Sequence, residues 1–203
     1  MRRLLSDRVF LGAVLVTGFV NAALFAYLSG ATFVLQDTYG LSPQGYSYAF
    51  GLNSLGFMVF GFLAGRTSER WSETGTLLTG IGMVVAGAAG LLATAAEDLP
   101  LVAVIVSLLT MVSGVAVTTP PATSLALAGY PDIAGTASSF LGVARFAFGG
   151  LAAPLVGLGA GVLPLALVTT GGAVLAGLAY LLAVRVRPAH DLRHRPDRPV
   201  LAA

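Results

Sequence analysis

Six apolar stretches, each long enough to cross a lipid bilayer, occupy almost the whole chain. They cover approximately residues 9–35, 44–65, 75–95, 101–128, 134–158 and 162–186. Each reaches the roughly 20 residues that a helix needs to span about 30 Å of hydrocarbon. Only 10% of the 203 residues are charged, whereas soluble domains carry about 25%. The apolar surface must therefore face lipid, and the sequence predicts an all-α membrane protein with six transmembrane helices.

Positive charge is distributed asymmetrically around these stretches. Lys and Arg together number 11, and all of them are Arg. When six helices are threaded through a membrane, ten fall on one side: Arg2, Arg3, Arg8, Arg66, Arg70, Arg185, Arg187, Arg193, Arg195 and Arg198. The loops on the other side contain only the acidic residues Asp37, Glu97 and Asp98. The positive-inside rule then predicts a multi-pass protein of the plasma (inner) membrane with both termini in the cytoplasm.

The same pattern predicts the domain organisation and the partners. Residues 1–187 form one six-helix transmembrane domain, and the polar, Pro-containing residues 188–203 form a disordered cytoplasmic tail. The net charge of +2 does not indicate nucleic-acid binding, because the basic residues lie at membrane borders, where anionic lipid headgroups attract them. The chain has no Cys, and its two His residues lie in the tail. We therefore predict no metal site and no cofactor.

Enzyme signatures are missing from the sequence. It contains no Gly-x-Ser-x-Gly elbow, no His-Glu-x-x-His pair and no phosphate-binding loop. No His lies in an apolar stretch, which removes the commonest general base from the membrane interior. We therefore predict that the protein is not an enzyme.

One basic residue, Arg145, lies inside an apolar stretch, about eleven residues into the fifth one. A charge at this depth costs several kcal/mol unless it is paired or hydrated. It either faces a water-filled cavity, where it binds an anionic group, or serves as a structural ion pair or a snorkelling side chain. The apolar stretches contain no mid-depth Asp or Glu. We favour the cavity, with any acidic partner supplied by another polypeptide.

Four further residues are candidates for a substrate pathway. Asn21 and Asn53 are amides deep in the first and second stretches, where they either join helices or contact substrate. Phe25 lies four residues after Asn21, on the same helical face. Tyr27 is also placed to reach a cavity, although aromatic residues in spans more often serve packing.

Small residues and prolines mark further features of the helices. The pairs Gly61/Gly65 and Gly157/Gly161 and the series Gly82/Ala86/Gly90 have the four-residue spacing of helix contact faces. Pro120 and Pro121 interrupt the fourth stretch, and either kink the helix or end it early.

Several segments resemble the C-terminal half of Bcr/CflA-type drug:proton antiporters of the major facilitator superfamily. They are YLSGATFVLQDTYGLSP at residues 27–43, YAFGLNSLG at 48–56 and AGTASSFLG at 134–142, and the resemblance extends over about residues 5–187. Gly61, Gly65, Arg66 and Arg70 resemble the degenerate second copy of the superfamily's cytoplasmic loop motif.

This resemblance implies export of small, chemically varied drugs in exchange for protons, by rocking two six-helix halves around a central cavity. It implies that Asn21, Asn53 and Arg145 face the pathway. The family commonly has an uncharged polar residue such as Gln in place of Arg145, so substrates shifted toward anionic compounds are expected. The family's proton-coupling acid is expected in an N-terminal six-helix half, which this sequence lacks. The alternative is a non-transporting membrane remnant or a modulatory partner of another transporter.

Overall fold

A computed structural model describes Leu4 and residues 7–68, 72–159 and 161–184. Within these ranges the chain forms six long helices and no β-strand. They are α1 (Arg8–Thr32, continued by a π-helical turn, Phe33–Thr38), α2 (Pro43–Ser68), α3 (Glu73–Glu97), α4 (Leu101–Leu127), α5 (Ala134–Val156, preceded by a 3-10 turn, Pro131–Ile133) and α6 (Leu163–Ala179, continued by a π-helical turn, Tyr180–Val184). All six are long and apolar enough to cross a membrane, which confirms the predicted fold class. The tail at 188–203 lies outside the described residues.

The helix ends follow from local chemistry. Asp7 caps α1 by accepting the backbone N–H of Val9 at 2.8 Å, and Ser72 caps α3 by accepting that of Gly75 at 3.0 Å. Pro43 is the first residue of α2, a position where its missing N–H costs no helical hydrogen bond. Short connections join successive helices, so the helices alternate in direction and the bundle has two ends. We call the end where α1, α3 and α5 begin the Glu73 end, and the end where they finish the Tyr39 end.

The helices pack as two equivalent groups of three. α1 packs against α5 and α6, and α4 packs against α2 and α3; α1 also contacts α4, and α3 contacts α6. If α1 is exchanged with α4, α2 with α5 and α3 with α6, the same pairs of helices remain in contact. Nested three-helix repeats of this kind occur within each six-helix half of major facilitator transporters. The contacts correspond to a front layer in the order α5, α1, α4, α2, with α6 and α3 behind α1 and α4.

Glycines allow α3 and α4 to approach closely. A Cβ atom on Gly87 would lie 2.5 Å from the backbone nitrogen of Met111, and one on Gly114 would lie 2.6 Å from that of Val84. Gly80 faces Thr118 in the same way. Such contacts between small residues stabilise helix pairs in lipid, where burial of apolar surface supplies no driving force.

The contact faces predicted from four-residue spacing are largely wrong. Gly82 and Ala86 are exposed, and a Cβ atom on Gly82 would meet nothing within 4 Å; of that series, Gly90 faces Ser107. Gly157 and Gly161 lie beyond the end of α5 rather than on a helix face. α3 is rotated so that Gly80 and Gly87, seven residues apart, face α4 instead.

The two edge helices of the front layer, α2 and α5, leave much apolar surface uncovered. In α2, Met58 and Phe62 are exposed, and in α5 Phe146 and Leu151 expose 70% and 73% of their surface. α1 and α4, between them, are the most buried of the six. The edge helices are therefore available to lipid or to further protein.

At the Tyr39 end, a tyrosine joins two loops. The Tyr39 hydroxyl donates a hydrogen bond of 2.9 Å to the backbone oxygen of Leu99. Partial burial and, to a smaller extent, the negative charge of Asp98 raise the pKa of Tyr39, so the neutral donor form is favoured.

Replacement of Asp98 by glycine is expected to stabilise the protein by about 0.5–1 kcal/mol. Asp98 ends α3 in the left-handed region, with φ of 48° and ψ of 45°, where glycine has no Cβ strain. Glu97→Gly is the matched control, because glycine inside the helix costs about 1 kcal/mol. Denaturation of the purified protein in detergent measures both. Shifts of the same sign would contradict this account of the helix end.

Candidate functional site

Tyr27 and Asn53 form a polar contact between α1 and α2. The Asn53 side-chain amide donates a hydrogen bond to the Tyr27 hydroxyl at 3.1 Å, and the two residues expose only 1% and 2% of their surface. The Tyr27 ring is stacked on Phe50, with centroids 6.0 Å apart and an interplanar angle of 10°. Tyr46 lies beside Phe50, also at 6.0 Å. We call these four residues the Tyr27 cluster.

The Tyr27 cluster retains an unused acceptor. Among the described residues, nothing donates to the buried Oδ1 of Asn53. The hydroxyl of Ser113, buried where α4 faces Gly56 of α2, is also without a partner there. Buried polar atoms usually have hydrogen-bond partners, because leaving one unpaired costs about 1–3 kcal/mol. Asn53 and Ser113 therefore give α2 and its neighbours two buried polar atoms that have no partner among the described residues.

Arg145 lies on the other side of α1 and reaches α4. Its Nη2 donates a hydrogen bond to the Thr123 hydroxyl at 3.1 Å, and that hydroxyl donates to the backbone oxygen of Thr119 at 2.8 Å. Arg145 is half-buried, and its Nε is buried without a partner. In the part of the chain that the structure describes, no carboxylate pairs with Arg145.

The side chain of Arg145 leans towards the Glu73 end. Its Cα is eleven residues into α5, about 17 Å along the helix axis, whereas Thr123 is four residues, about 6 Å, from the end of α4. The guanidinium therefore lies nearer the Glu73 end than the Cα does, as expected when a long side chain snorkels. This direction of the side chain is compatible with both the snorkelling and the cavity-facing alternatives.

Phe25 belongs with Arg145 rather than with Tyr27. Its ring lies edge-on to Phe146, with centroids 6.0 Å apart, and it fills the space left by the missing side chain of Gly149. Because residues two apart on a helix point about 200° away from each other, Phe25 and Tyr27 lie on opposite sides of α1. We call Arg145, Thr123, Phe25 and Phe146 the Arg145 cluster. Four of the five predicted pathway residues therefore fall into two clusters on different sides of α1.

Asn21 makes no hydrogen bond to either cluster within the described residues. Its amide donates to the backbone oxygen of Thr17, one turn earlier in α1, at 2.8 Å, and the side chain is buried. The Thr17 hydroxyl is buried without a partner among the described residues. Within the described residues, Asn21 therefore makes no hydrogen bond to another helix.

Three residues of the predicted loop motif, Gly61, Gly65 and Arg66, lie within the described residues. A Cβ atom on Gly61 would lie 3.4 Å from Ala116 of α4, whereas one on Gly65 would meet nothing within 4 Å. The Arg66 guanidinium lies 5.5 Å from the centre of the Phe62 ring. Arg70 lies outside the described residues, so its part in the motif stays a prediction.

The two prolines do not end α4. The helix continues through Pro120 and Pro121 to Leu127, which excludes the early end. The Thr119 hydroxyl donates to the backbone oxygen of Val115 at 2.9 Å, and Pro120 and Pro121 lie between Thr119 and Thr123. The proline segment therefore adjoins the Arg145 cluster. A kink at this point stays a prediction.

Sequence reasoning missed Thr123 and Phe146. Thr123 lies among several hydroxyl residues of α4, and only the rotation of the helices shows that it faces Arg145. Phe146 directly follows Arg145, and this adjacency in the sequence is the one signal that could have found it.

Comparison with known proteins gives the family. The model of the Major Facilitator Superfamily matches residues 1–154. The chain belongs to this superfamily. It is 32% identical over 181 residues to an uncharacterized MFS-type transporter, YdgK, of Bacillus subtilis (strain 168). That match covers 89% of this chain and 45% of the relative, so the chain spans about half the length of the curated relative it matches. No solved structure matches.

Membership in the superfamily agrees with the architecture. Six membrane-capable helices in two equivalent groups of three fit one half of a major facilitator fold. The protein is a multi-pass membrane protein of this superfamily.

Proposed function

We propose that the chain is the C-terminal half of a Bcr/CflA-type multidrug efflux transporter, which exports small drugs across the plasma membrane in exchange for protons. Both termini then lie in the cytoplasm, as the arginine distribution favours. The observation that carries this proposal is the position of the candidate residues in the fold. Asn21, Phe25, Tyr27, Asn53 and Arg145 all lie on α1, α2 and α5, in the front layer, and none lies on α3 or α6.

The front layer needs a second six-helix half to form a transport pathway. Alternating access moves one repeat against another around a site between them. The exposed apolar faces of α2 and α5 supply a surface on which an N-terminal half docks. That half also supplies the proton-coupling acid, because the carboxylates of the described helices lie at their ends, as Glu73 and Glu97 do.

Co-expression with a complementary half tests this function. The chain is expressed in an efflux-deficient bacterium alone, together with the part of the Bacillus relative that it does not match, and with an empty vector. Export of preloaded fluorescent drugs, one anionic and one cationic, is then followed by fluorescence. We expect export only when both halves are present, and we expect a protonophore to abolish it.

Two results would contradict the proposal. Export by the chain alone would show that no second half is required. If the two halves insert and purify together but export no compound from a panel of neutral, cationic and anionic drugs, the chain is a non-transporting partner or remnant.

A further inference from the structure

We propose that the Arg145 cluster is a subsite for amphiphilic organic anions, in which the guanidinium binds a carboxylate and the Phe25–Phe146 pair contacts an aromatic or apolar body. This inference rests on the proposed function in one respect, since it takes the α1–α5 face to border the substrate pathway. It deepens that function by naming the class of substrate.

The first step is the unmet charge of Arg145. Guanidinium carries five N–H donors, and the only hydrogen bond that Arg145 makes within the described residues goes to the neutral Thr123 hydroxyl. A hydrogen bond to a neutral hydroxyl leaves the positive charge uncompensated inside a membrane helix, which costs several kcal/mol. A carboxylate removes this cost with two charge-assisted hydrogen bonds in the plane of the guanidinium.

The second step is the fixed position of the cation. Thr123 holds Nη2, and the Thr123 hydroxyl is itself oriented by its hydrogen bond to the Thr119 backbone. The side chain is half-buried rather than enclosed, so part of it stays accessible from outside the bundle. A cation that is anchored at one atom and accessible elsewhere loses little conformational entropy when an anion binds.

The third step is the aromatic surface beside the cation. Phe146 directly follows Arg145, exposes 70% of its surface and meets the edge of Phe25. Gly142, one turn before Arg145, leaves open space, because a Cβ atom there would meet nothing within 4 Å. The cluster therefore offers a positive charge, a flat apolar contact and room for a ligand. A neutral drug of the same shape would make only the apolar contact and would leave the charge of Arg145 unpaired.

The experiment compares two probes that share the pyrene body and a four-carbon chain but end in a charged carboxylate or a neutral hydroxyl. The purified 203-residue chain is placed in nanodiscs of zwitterionic phosphatidylcholine, and binding of 1-pyrenebutyrate and of its neutral alcohol, 1-pyrenebutanol, is measured by equilibrium dialysis against empty nanodiscs. We expect the carboxylate to bind at least tenfold more tightly than the alcohol. We expect Arg145→Gln to lose that preference and Arg145→Lys to keep part of it.

Controls separate this site from general electrostatics and from lipid. Arg8→Gln removes another arginine of the described helices, exposed at the start of α1, and is expected to leave the preference unchanged. Phosphatidylglycerol nanodiscs offer a lipid phosphate with the same anionic chemistry. If that lipid abolishes pyrenebutyrate binding even at high salt, which screens repulsion of the probe by the anionic surface, the anion recognised is a headgroup and the proposal is overturned.

The remaining outcomes also decide the proposal. Equal binding of the two probes, no binding of either, or an unchanged preference in Arg145→Gln each overturn it. If Arg145→Gln does not yield a monodisperse protein, the wild-type preference and the Arg145→Lys variant decide. Because the assay needs neither a second half nor a proton gradient, a failure here leaves the export proposal standing. A failure of export leaves anion binding standing.

Discussion

Replacement of Gly87 by leucine is expected to force α3 away from α4 and to destabilise the bundle by about 3 kcal/mol or more, at or beyond the upper end of overpacking costs. Even a single Cβ atom at this position would lie 2.5 Å from the backbone nitrogen of Met111 and 2.6 Å from the backbone oxygen of Ser107. Backbone atoms cannot rotate aside as a flexible side chain can, so the helices themselves must separate. Thermal unfolding of the purified protein in detergent measures the loss.

Gly82→Leu is the matched control for this prediction. Gly82 lies on the same helix, five residues earlier, is exposed, and would accept a Cβ atom with nothing within 4 Å. Leucine also favours helix over glycine by up to about 1 kcal/mol. We therefore expect this variant to be unchanged or slightly more stable. Equal destabilisation by the two substitutions would mean that the α3–α4 contact is not where the structure places it.

Replacement of Arg145 by alanine is expected to reduce drug export by the assembled transporter tenfold or more, while leaving the protein in the membrane. The guanidinium is the one basic group that the described helices hold away from their ends, and Thr123 orients it. Its removal takes away the positive charge that an acidic substrate would need. It does not destabilise the fold, because an unpaired charge inside the membrane costs free energy. Export of an anionic drug from co-expressing cells, with membrane protein quantified by immunoblot, measures the effect.

Two further variants serve as comparisons for Arg145→Ala. Arg8→Ala removes an exposed arginine at the start of α1 and is expected to leave export unchanged. Thr123→Val keeps the side-chain volume and the charge of Arg145 but removes the anchoring hydroxyl, so a smaller loss is expected. Unchanged export by Arg145→Ala would remove Arg145 from the pathway. Loss of the protein from the membrane would make its role structural.

Much of the fold could be predicted because the signals are local. Hydrophobicity over some twenty residues predicts each spanning helix, and Pro43, Ser72 and Asp7 mark helix starts through groups next to them in sequence. The predicted spans agree with α1 to α6 to within a few residues at most ends.

The contacts of the candidate site could be predicted only in part. The amides and the arginine stand out because polar groups are rare in these spans, and the structure does bring Asn53 to Tyr27. Periodicity shows which residues share one face of a helix, but not which neighbour that face meets. For this reason the sequence places Phe25 on the same face as Asn21 but does not connect Phe25 with Phe146, or Thr123 with Arg145.

The sequence by itself determined that lipid surrounds the helices, how many helices there are and how long they are, and on which side the positive charge lies. Each of these properties depends on composition over a short window. Only the tertiary structure decided the rotation of each helix about its axis. That rotation turns Gly87 rather than Gly82 towards α4 and separates the Tyr27 cluster from the Arg145 cluster. The physical reason is that six apolar helices present similar surfaces to lipid on every side, so steric fit between distant segments, rather than hydrophobicity, selects the faces in contact.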